Sequence, residues 1–395
     1  MRVALLSDCY PPRLGGIEVQ VHDLAHRLTA AGHDVEVVTA TVGPGGEAGG
    51  DRTEEDGVPV HRFAVPLPAI GGLPIPVNPL AHRRLAELLA RGRFDVAHAH
   101  MGVVSPFAFD LVGLALHAGL PTAVTWHCVV DSSAPVHRLL GYAARWARDG
   151  AALSAVSTMA ADRVSTIAEG SPVAVLHNGI DVDHWRAPTE RDGRGRWGTT
   201  GHEGGTVRVV SAQRMVLRKR PLALLHVLRR ARVLAPASVR LEAVIVGDGP
   251  QRRRMQAWLR ARGLDWIRLP GRVTRDELRD LHWGSDIYLT AARLEAFGIA
   301  ALEARTAGLP VVALAGTGAD DFIEHEVSGL LADDDRELAG QLARIIRDSK
   351  LRQQVAAHNR LVPPAAAWPA VVDATLAEYQ RARGHMLSAG GPGGH

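Results

Sequence analysis

Residues 290–313 read TAARLEAFGIAALEARTAGLPVVA, and this stretch decides the fold class of the chain. A short apolar strand leads into it, and a helix is predicted from about 298 to 307. Gly308 and Pro310 end that helix and begin a fully apolar strand over 310–314. A strand, a helix and a second apolar strand in this order predict an α/β fold, with a parallel sheet covered by helices on both faces.

Two carboxylates in this stretch, Glu295 and Glu303, are eight residues apart and flank the turn Phe297-Gly298-Ile299. Glu295 is expected in the loop at the carboxyl end of a strand, where open α/β sheets bind ligands. Glu303 lies more than one helical turn further along, and the amides of the helix start lie between the two. Acceptor carboxylates beside unpaired N–H donors suit a ligand with both hydroxyls and negative charge, such as a nucleotide sugar.

Strands and helices alternate through the whole chain of 395 residues, which is too long for one ordinary core and predicts two domains. Strands are predicted in the first half at 2–8, 34–40, 94–98, 121–126, 153–156 and 173–176. Those of the second half are predicted at 207–212, 241–246, 266–269, 286–290, 310–314 and 329–332. The predicted parts are a first Rossmann-like, acceptor-binding domain (1–188), a linker (189–205), a second Rossmann-like, donor-binding domain (206–365), a last helix (about 366–382) and a disordered tail (384–395). Residues 42–57 are interpreted as a surface loop.

Composition narrows the class of protein. Hydrophobic residues make up 46% of the chain, as in a globular enzyme, and Cys9 and Cys128 are the only cysteines. Few cysteines, no signal sequence and no apolar run of membrane-spanning length predict a cytoplasmic protein. Residues 1–185 carry 13 basic and 19 acidic side chains, whereas residues 186–395 carry 32 and 23. The basic second half suits a diphosphate, and no nucleic-acid-binding motif accompanies it.

Phosphate-binding chemistry is expected at three strand ends. Gly15-Gly16 stands between the first strand and a helix, where amides and the helix dipole favour a phosphate, although a plain turn fits too. Arg214 and Lys219 follow a strand of the second half, and Lys219 is one of only two lysines in the chain. An ammonium among arginines suits a point charge on phosphate, and a solvated basic turn fits equally well. Gly247, in VGDGP, again permits close backbone approach.

The histidines and the remaining acidic residues give no metal site in this interpretation. His127 follows a strand of the first half and could meet a sugar or a phosphate, although a single histidine is more often satisfied locally. His98 and His100 are interpreted as pointing to opposite faces of a strand, which makes them a poor metal pair. Asp181 and Asp183 are interpreted as part of a loop cap rather than a manganese site. No cofactor is therefore predicted.

Taken in order, these segments resemble the retaining family 4 glycosyltransferases of the GT-B fold. The match covers most of the chain through YPPRLGGIE, His127, HNGIDVD, RMVLRK, VGDGP, LPGRV, EAFGIAALE and AGLPVVA. The resemblance implies two Rossmann-like domains that face each other across a cleft, with a last helix, beginning near Trp368, that crosses back to the first domain. It further implies that a hexose or N-acetylhexosamine moves from a UDP- or GDP-sugar to a hydroxyl of a small-molecule or lipid acceptor, without a metal.

The resemblance also implies roles for individual residues. Arg214 and Lys219 would hold the donor diphosphate and neutralise charge on the departing nucleotide, and charge held there stabilises the transition state. His127 and Glu295 would act at the transferred sugar. The other donor-binding positions are Gly16 and Gly247 near phosphate, Arg272 and Val273 at the base, Glu303 at the ribose, and Ala296, Phe297, Gly298 and Ile299 beside Glu295.

No side chain stands out as the nucleophile of a double displacement, so attack on the same face, with the leaving phosphate taking the acceptor proton, is preferred. Residues 318–321 read GADD where many relatives have Gly-Xaa-Pro-Glu. Two alternatives are a nucleotide-sugar epimerase of GT-B fold and a non-catalytic relative that only binds donors. The segments EAFGIAALE and RMVLRK argue against the epimerase. The intact set of Arg214, Lys219, Glu295 and Glu303 argues against a non-catalytic relative.

The expected partners are a nucleotide-sugar donor and a hydroxyl acceptor of unknown identity, and nucleic acid is not expected. The proline-rich, apolar segment 65–79 leaves peripheral membrane contact open. The chain is expected to be a monomer or a homodimer. Its strong preference for arginine over lysine fits a bacterial source.

Overall fold

The computed structural model describes residues 1–13, 15–64, 79–131, 134–188 and 205–389. The chain divides into two compact units. Unit 1 comprises Met1–Gly179 together with the C-terminal helix that begins at Trp368, and unit 2 comprises Ile180–Ala367. Each is an α/β unit built on a mainly parallel sheet, as predicted. None of the described helices is long and apolar enough to cross a membrane.

Unit 1 is built on an eight-stranded sheet. Its strands are β1 (Arg2–Ser7), β2 (Asp34–Thr39), β3 (Asp51–Glu55), β4 (Val58–Arg62), β5 (Val96–Met101), β6 (Thr122–Trp126), β7 (Ala152–Ala155) and β8 (Val173–Val175). The helices between them are α1 (Gly16–Ala30), α2 (Pro79–Arg91), α3 (Pro106–His117), α4 (Ala134–Leu140), α5 (Tyr142–Arg148) and α6 (Thr158–Ile167). The strand order is β3-β4-β2-β1-β5-β6-β7-β8, and only the β3–β4 pair is antiparallel.

Both faces of this sheet are buried, which is why its central strands are nearly continuous apolar runs. In β1, Val3 and Leu5 pack on the face that α1 covers, whereas Ala4 and Leu6 pack on the opposite face. The α1 residues that join the first cluster recur at helical spacing and are Val21, Leu24, Ala25 and Leu28. The helix therefore lies flat on the sheet, with its first residue near the carboxyl end of β1.

Unit 2 is built on a six-stranded, fully parallel sheet. Its strands are β9 (Thr206–Ala212), β10 (Arg240–Val246), β11 (Ile267–Gly271), β12 (Ile287–Leu289), β13 (Val311–Leu314) and β14 (Gly329–Ala332). The helices are α7 (Val182–Trp185), α8 (Pro221–Leu234), α9 (Arg252–Arg260), α10 (Arg275–Trp283), α11 (Ile299–Thr306), α12 (Asp335–Arg347) and α13 (Ser349–Leu361). The strand order is β11-β10-β9-β12-β13-β14.

The interpretation of residues 42–57 as a loop is wrong for its second part. Residues 51–55 form β3, which pairs antiparallel with β4. The turn between them is Asp56-Gly57, and both residues have positive φ, 49° and 81°. An Asp-Gly pair between two strands is a strong hairpin signal in the sequence. It was missed because β3 is exposed and polar, so it shows no apolar run.

The predicted end of the first domain, at residue 188, shifts to Gly179. Residues 180–188 pack in unit 2 rather than unit 1, because the Trp185 side chain of α7 is fully buried there and Trp283 Nε1 donates to the Trp185 carbonyl over 2.9 Å. Most of the predicted linker, residues 189–204, lies outside the described residues.

The C-terminal helix, α14 (Trp368–Ala389), packs on the unit 1 sheet. Residues 384–389 were predicted to be a disordered tail, and they are helical instead. An ion pair between Arg383 and Asp95, 3.4 Å apart, and close packing of Gly150 against the His385 backbone hold this last part of the helix on the unit. Residues 390–395 lie outside the described residues.

Candidate active site

The strand order of unit 2 defines a crevice within that unit. Chain connections from β9 run to one side, through β10 to β11, and those from β12 run to the other side, through β13 to β14. The neighbours β9 and β12 therefore form the topological switch point, where open parallel sheets bind ligands at the carboxyl ends of their strands. Arg214 and Lys219 follow β9, and Glu295 follows β12, so the predicted charged residues lie on the two loops that flank this point.

Lys219 and Glu295 are brought into direct contact. The Lys219 ammonium forms a salt bridge with the Glu295 carboxylate, and the two side chains are 25% and 21% exposed. Such a half-buried pair is screened less than a surface pair, so it fixes both side chains at the crevice. The residues are 76 positions apart in the chain, and their pairing is the clearest outcome of folding at this site.

Arg220 supports the same two loops, although the sequence placed it only alongside Lys219. It adopts a left-handed conformation (φ 51°), and its guanidinium makes a bidentate pair with Asp335 over 2.9 and 2.6 Å. The same group donates to the Ala291 carbonyl over 2.9 Å. Bidentate arginine pairs are strong and directional. Arg220 therefore ties the loop after β9 to the loop after β12 and to the start of α12.

Arg214 presents its charge to solvent. The side chain is exposed, and it makes no hydrogen bond or ion pair with any residue that the structure describes. Its backbone lies in a loop that is held firmly, because Met215 N donates to Asp248 O over 2.8 Å and Gln251 N donates to Met215 O over 2.9 Å. A guanidinium on a fixed loop is available for an anionic ligand.

Glycine is required at position 247 for a structural reason that is independent of any ligand. Its φ is 123°, and a Cβ there would lie 2.0 Å from the Gln213 carbonyl oxygen. Its amide donates to Gly271 O over 2.8 Å, so the loops after β9, β10 and β11 are joined by backbone contacts. Arg272 and Val273 follow β11, and the exposed Arg272 side chain reaches to 3.9 Å from the Asp248 carboxylate. The predicted contacts of these residues with a donor stay predictions.

The segment from Glu295 to Glu303 forms the predicted turn and the start of the predicted helix. Gly298 has φ 94°, and no side chain caps the N-terminus of α11, which begins at the next residue. Ala296, Phe297 and Gly298 are buried, while Glu295, Ile299 and Glu303 are partly exposed. Burial and then the charges of Glu295 and Glu303 raise the pKa of the Tyr288 phenol, so both carboxylates act on the same region.

The segment that departs from the family pattern supports this turn. Residues 318–321 form a 3-10 turn that Thr317 caps, and Gly318 N donates to Glu295 O over 2.9 Å. A Cβ at Gly318 would lie 2.0 Å from the Ala296 carbonyl oxygen, so only glycine fits beside that backbone. GADD therefore positions the Glu295 loop through its glycine, whichever acidic residues follow.

In unit 1, Gly16 is the first residue of α1, and no side-chain hydrogen bond caps that helix. The buried Glu18 carboxylate lies beside Gly15, since a Cβ on Gly15 would be 2.3 Å from it, and Glu18 pairs with Arg13 over 3.1 Å. A neutralised carboxylate thus already lies near the start of α1. The predicted contact between Gly16 and a phosphate is not tested by this geometry.

His127 is part of a hydrogen-bonded chain of neutral side chains. Its Nδ1 lies 3.0 Å from Asn178 Oδ1, so Nδ1 carries the proton and Nε2 accepts from His100 Nδ1, also over 3.0 Å. Burial lowers the pKa of His127 to about 4 and that of His100 well below its ordinary value. His127 is therefore uncharged at neutral pH and acts by hydrogen bonding rather than by charge.

The interpretation that His98 and His100 point to opposite faces is wrong. Residues two apart on a strand share a face, and the two rings lie 4.1 Å apart between centroids. His98 Nε2 lies 2.7 Å from Thr125 Oγ1, and His98 Nδ1 lies 3.1 Å from the Tyr379 hydroxyl of α14. The expectation that Asp181 acts as a cap is confirmed, because its carboxylate accepts from His184 N at the start of α7 over 3.1 Å.

Comparison with known proteins assigns the class. The family profile described as Glycosyltransferase Family 4 matches residues 14–184, and that described as Glycosyl transferases group 1 matches residues 199–362. Together they span most of the chain, which belongs to the family 4 glycosyltransferases. The protein is therefore an enzyme, and neither the epimerase nor the non-catalytic alternative is supported.

Individual relatives agree with this class. A GDP-mannose-dependent alpha-mannosyltransferase of Mycobacterium tuberculosis is 28% identical over 98% of both chains. A GDP-mannose-dependent alpha-(1-6)-phosphatidylinositol monomannoside mannosyltransferase of the same organism is 28% identical over 84% of this chain and 85% of its own. Among solved structures, Anabaena HepE in complex with UDP superposes with a TM-score of 0.74 at 20% identity, over 96% of this chain and 99% of that one. The fold is that of the GT-B glycosyltransferases.

Proposed function

We propose that this glycosyltransferase acts in the cytoplasm and moves mannose from GDP-mannose to a hydroxyl acceptor, with retention of anomeric configuration and without a metal ion. The observation that carries the proposal is the Lys219–Glu295 pair at the switch point of unit 2, with the exposed Arg214 guanidinium on the same loop as Lys219. The choice of donor is supported by the two mannosyltransferases, because both are named GDP-mannose-dependent and one aligns over nearly the whole chain.

The charge arrangement supports a role at the donor diphosphate. Without a donor, the Glu295 carboxylate neutralises the Lys219 ammonium. A diphosphate competes for that ammonium, and the released carboxylate can then accept hydrogen bonds from sugar hydroxyls. Negative charge grows on the leaving phosphate as the glycosidic bond breaks, so Lys219 and Arg214 stabilise the transition state more than the bound substrate. Glu303 lies within α11, and in this proposal its carboxylate binds the ribose hydroxyls.

Retention by same-face attack fits this arrangement. The bond from the anomeric carbon to the phosphate oxygen breaks, and the acceptor oxygen bonds to that carbon on the same face. The acceptor proton passes to the leaving phosphate, so no protein base has to take it. In the donor complex, the Glu295 carboxylate accepts hydrogen bonds from sugar hydroxyls, so the proposal gives it a binding role rather than that of a nucleophile.

The proposed acceptor is a small, soluble polyhydroxy compound. Residues 1–185 carry more acidic than basic side chains, and that balance opposes docking on an anionic membrane surface. One relative is named for a lipid acceptor, a phosphatidylinositol monomannoside, so a lipid arm belongs in the test.

The test is the release of nucleoside diphosphate from GDP-mannose, UDP-glucose and UDP-N-acetylglucosamine, each with and without EDTA. The proposal predicts slow hydrolysis of GDP-mannose but not of either UDP-sugar, and EDTA should not change its rate. Release of GDP should become faster when soluble polyols are added, and not when lipid vesicles are added. The Lys219→Met variant is the matched control for contaminating hydrolases. Preference for a UDP-sugar would overturn the donor, and loss of release in EDTA would overturn the metal-free mechanism.

A further inference from the structure

A group of possible metal ligands lies in unit 1, on residues to which no role in transfer has been assigned. Among the described residues, His22, His26 and Asp56 each offer a ligand atom, and these atoms all lie within 4.8 Å of one another. His22 and His26 are one helical turn apart on α1, and their ring centroids are 4.3 Å apart. Asp56 comes from the turn between β3 and β4, so the group joins two separate elements.

The hydrogen bonds of the two histidines leave the Nε2 atom of each ring available as a metal ligand. His26 Nδ1 donates to the His22 carbonyl over 2.8 Å, which leaves Nε2 unprotonated. That Nε2 is buried and has no hydrogen-bond partner among the residues that the structure describes. His22 Nδ1 lies 3.3 Å from an Asp23 carboxylate oxygen, so Nε2 is again the available ligand atom. Histidines that bind metals generally anchor their other nitrogen to a carbonyl or a carboxylate in this way.

The surroundings of the group favour a cation. Tyr10 packs with its ring centroid 5.9 Å from that of His22. Arg62 is fully buried and paired with Glu55. Because Arg62 is engaged by Glu55, the exposed carboxylate of Asp56 places negative charge beside the two imidazoles.

We propose that His22, His26 and Asp56 form a metal site of the zinc type, with Asp23 orienting His22. Two imidazoles and one carboxylate suit Zn²⁺, and water would complete a four-coordinate shell. The metal would link α1 to the β3–β4 turn and so hold the helix whose first residue is Gly16. His22 lies about 9 Å along the helix axis from Gly16. Because its ligands join two elements and have no assigned role in transfer, the site has a structural role, and sugar transfer does not use its metal.

The test uses the full chain after its metal has been stripped with EDTA and the chelator removed. Titration with ZnCl2 should bind about one equivalent and raise the Tm by about 5 °C at a metal concentration well above Kd, while MgCl2 should not. Co²⁺ should give a visible absorption band of a four-coordinate site. The rate of sugar transfer should not change between the metal-free and loaded forms.

The variants His26→Ala and Asp56→Asn should remove the Tm shift and the Co²⁺ band. The control variant His226→Ala, which replaces an exposed histidine elsewhere in the chain, should keep both. Asparagine tolerates the positive φ of residue 56, so Asp56→Asn should leave the metal-free Tm unchanged and separates ligand loss from misfolding. Equal Zn²⁺ binding by His26→Ala would assign the metal to other histidines and overturn the site. Absence of any shift in the unaltered chain would overturn it as well.

Discussion

The Lys219–Glu295 pair gives the most informative perturbation of the proposed mechanism. Lys219→Met removes the ammonium but keeps a long apolar stem. If Lys219 stabilises charge on the leaving phosphate, its loss should cost about 2–4 kcal/mol of transition-state stabilisation. That corresponds to a decrease of roughly 30- to 800-fold in kcat. Because the side chain is only 25% exposed, solvent replaces little of the lost interaction.

The same variant should also weaken donor binding, for a separate reason. Without Lys219, the Glu295 carboxylate faces the incoming diphosphate with no partner, and repulsion of about 1 kcal/mol is expected at a site that opens to solvent. The double variant Lys219→Met/Glu295→Gln removes that repulsion. Its KM for the donor should therefore fall below that of Lys219→Met, while kcat should not recover. Such a double-mutant cycle separates the two effects.

The assay is steady-state release of GDP from GDP-mannose, with kcat and KM determined for both variants and for Lys219→Arg, which keeps the charge. Unfolding curves of each variant control for loss of structure. A kcat of Lys219→Met within about threefold of the unaltered enzyme would refute the assignment, because a barrier change below about 0.7 kcal/mol is too small for this role.

Three further predictions concern other parts of the chain. Glu303→Ala should raise KM for the donor by about tenfold with little change in kcat, since ribose contacts are equal in the ground and transition states; equilibrium binding of GDP should weaken by the same factor. Arg220→Lys should lower the free energy of unfolding by about 1–3 kcal/mol, because lysine cannot reproduce the bidentate pair with its partner on α12, and urea unfolding measures this change. Burial lowers the pKa of His98 to about 3 and that of His127 to about 4, so the unfolded chain binds more protons below about pH 6.5. The free energy of unfolding should then fall as the pH is lowered from 6.5 towards 4, by up to about 1.4 kcal/mol per pH unit for each histidine, with Asp8, whose pKa is raised to about 6, opposing one of them. Unfolding curves that do not change between pH 7 and 4.5 would contradict the neutral histidine chain.

The parts of the fold that the sequence predicted are those with continuous apolar runs. The strand Val311–Leu314 and the helix that follows Gly298 are buried or glycine-bounded, and both were placed to within about one residue. Strand β3 was missed because a polar edge strand has no such run, although the Asp56-Gly57 turn signalled it. The place of residues 180–188 depends on burial of Trp185 against distant residues, which no local pattern encodes.

The candidate site was predictable as a set of residues but not as a geometry. The segment around Glu295 and the cations of RMVLRK were identified from motif order, whereas the salt bridge between Lys219 and Glu295 joins loops 76 residues apart. The role of Arg220 depends on Asp335, a residue much further along the chain, so sequence spacing gave no signal for it. The shared face of His98 and His100 could have been predicted, because side chains on a strand repeat every two residues.

Proton NMR of the product formed from GDP-mannose in the presence of EDTA can distinguish retention from inversion and reveal any need for a metal ion. We expect GDP and the new glycoside to appear together, and the mannosyl anomeric signal to be that of the α configuration of the donor. A β-linked product, or no product until a divalent metal is restored, would contradict a retaining, metal-independent transfer at the Lys219–Glu295 site.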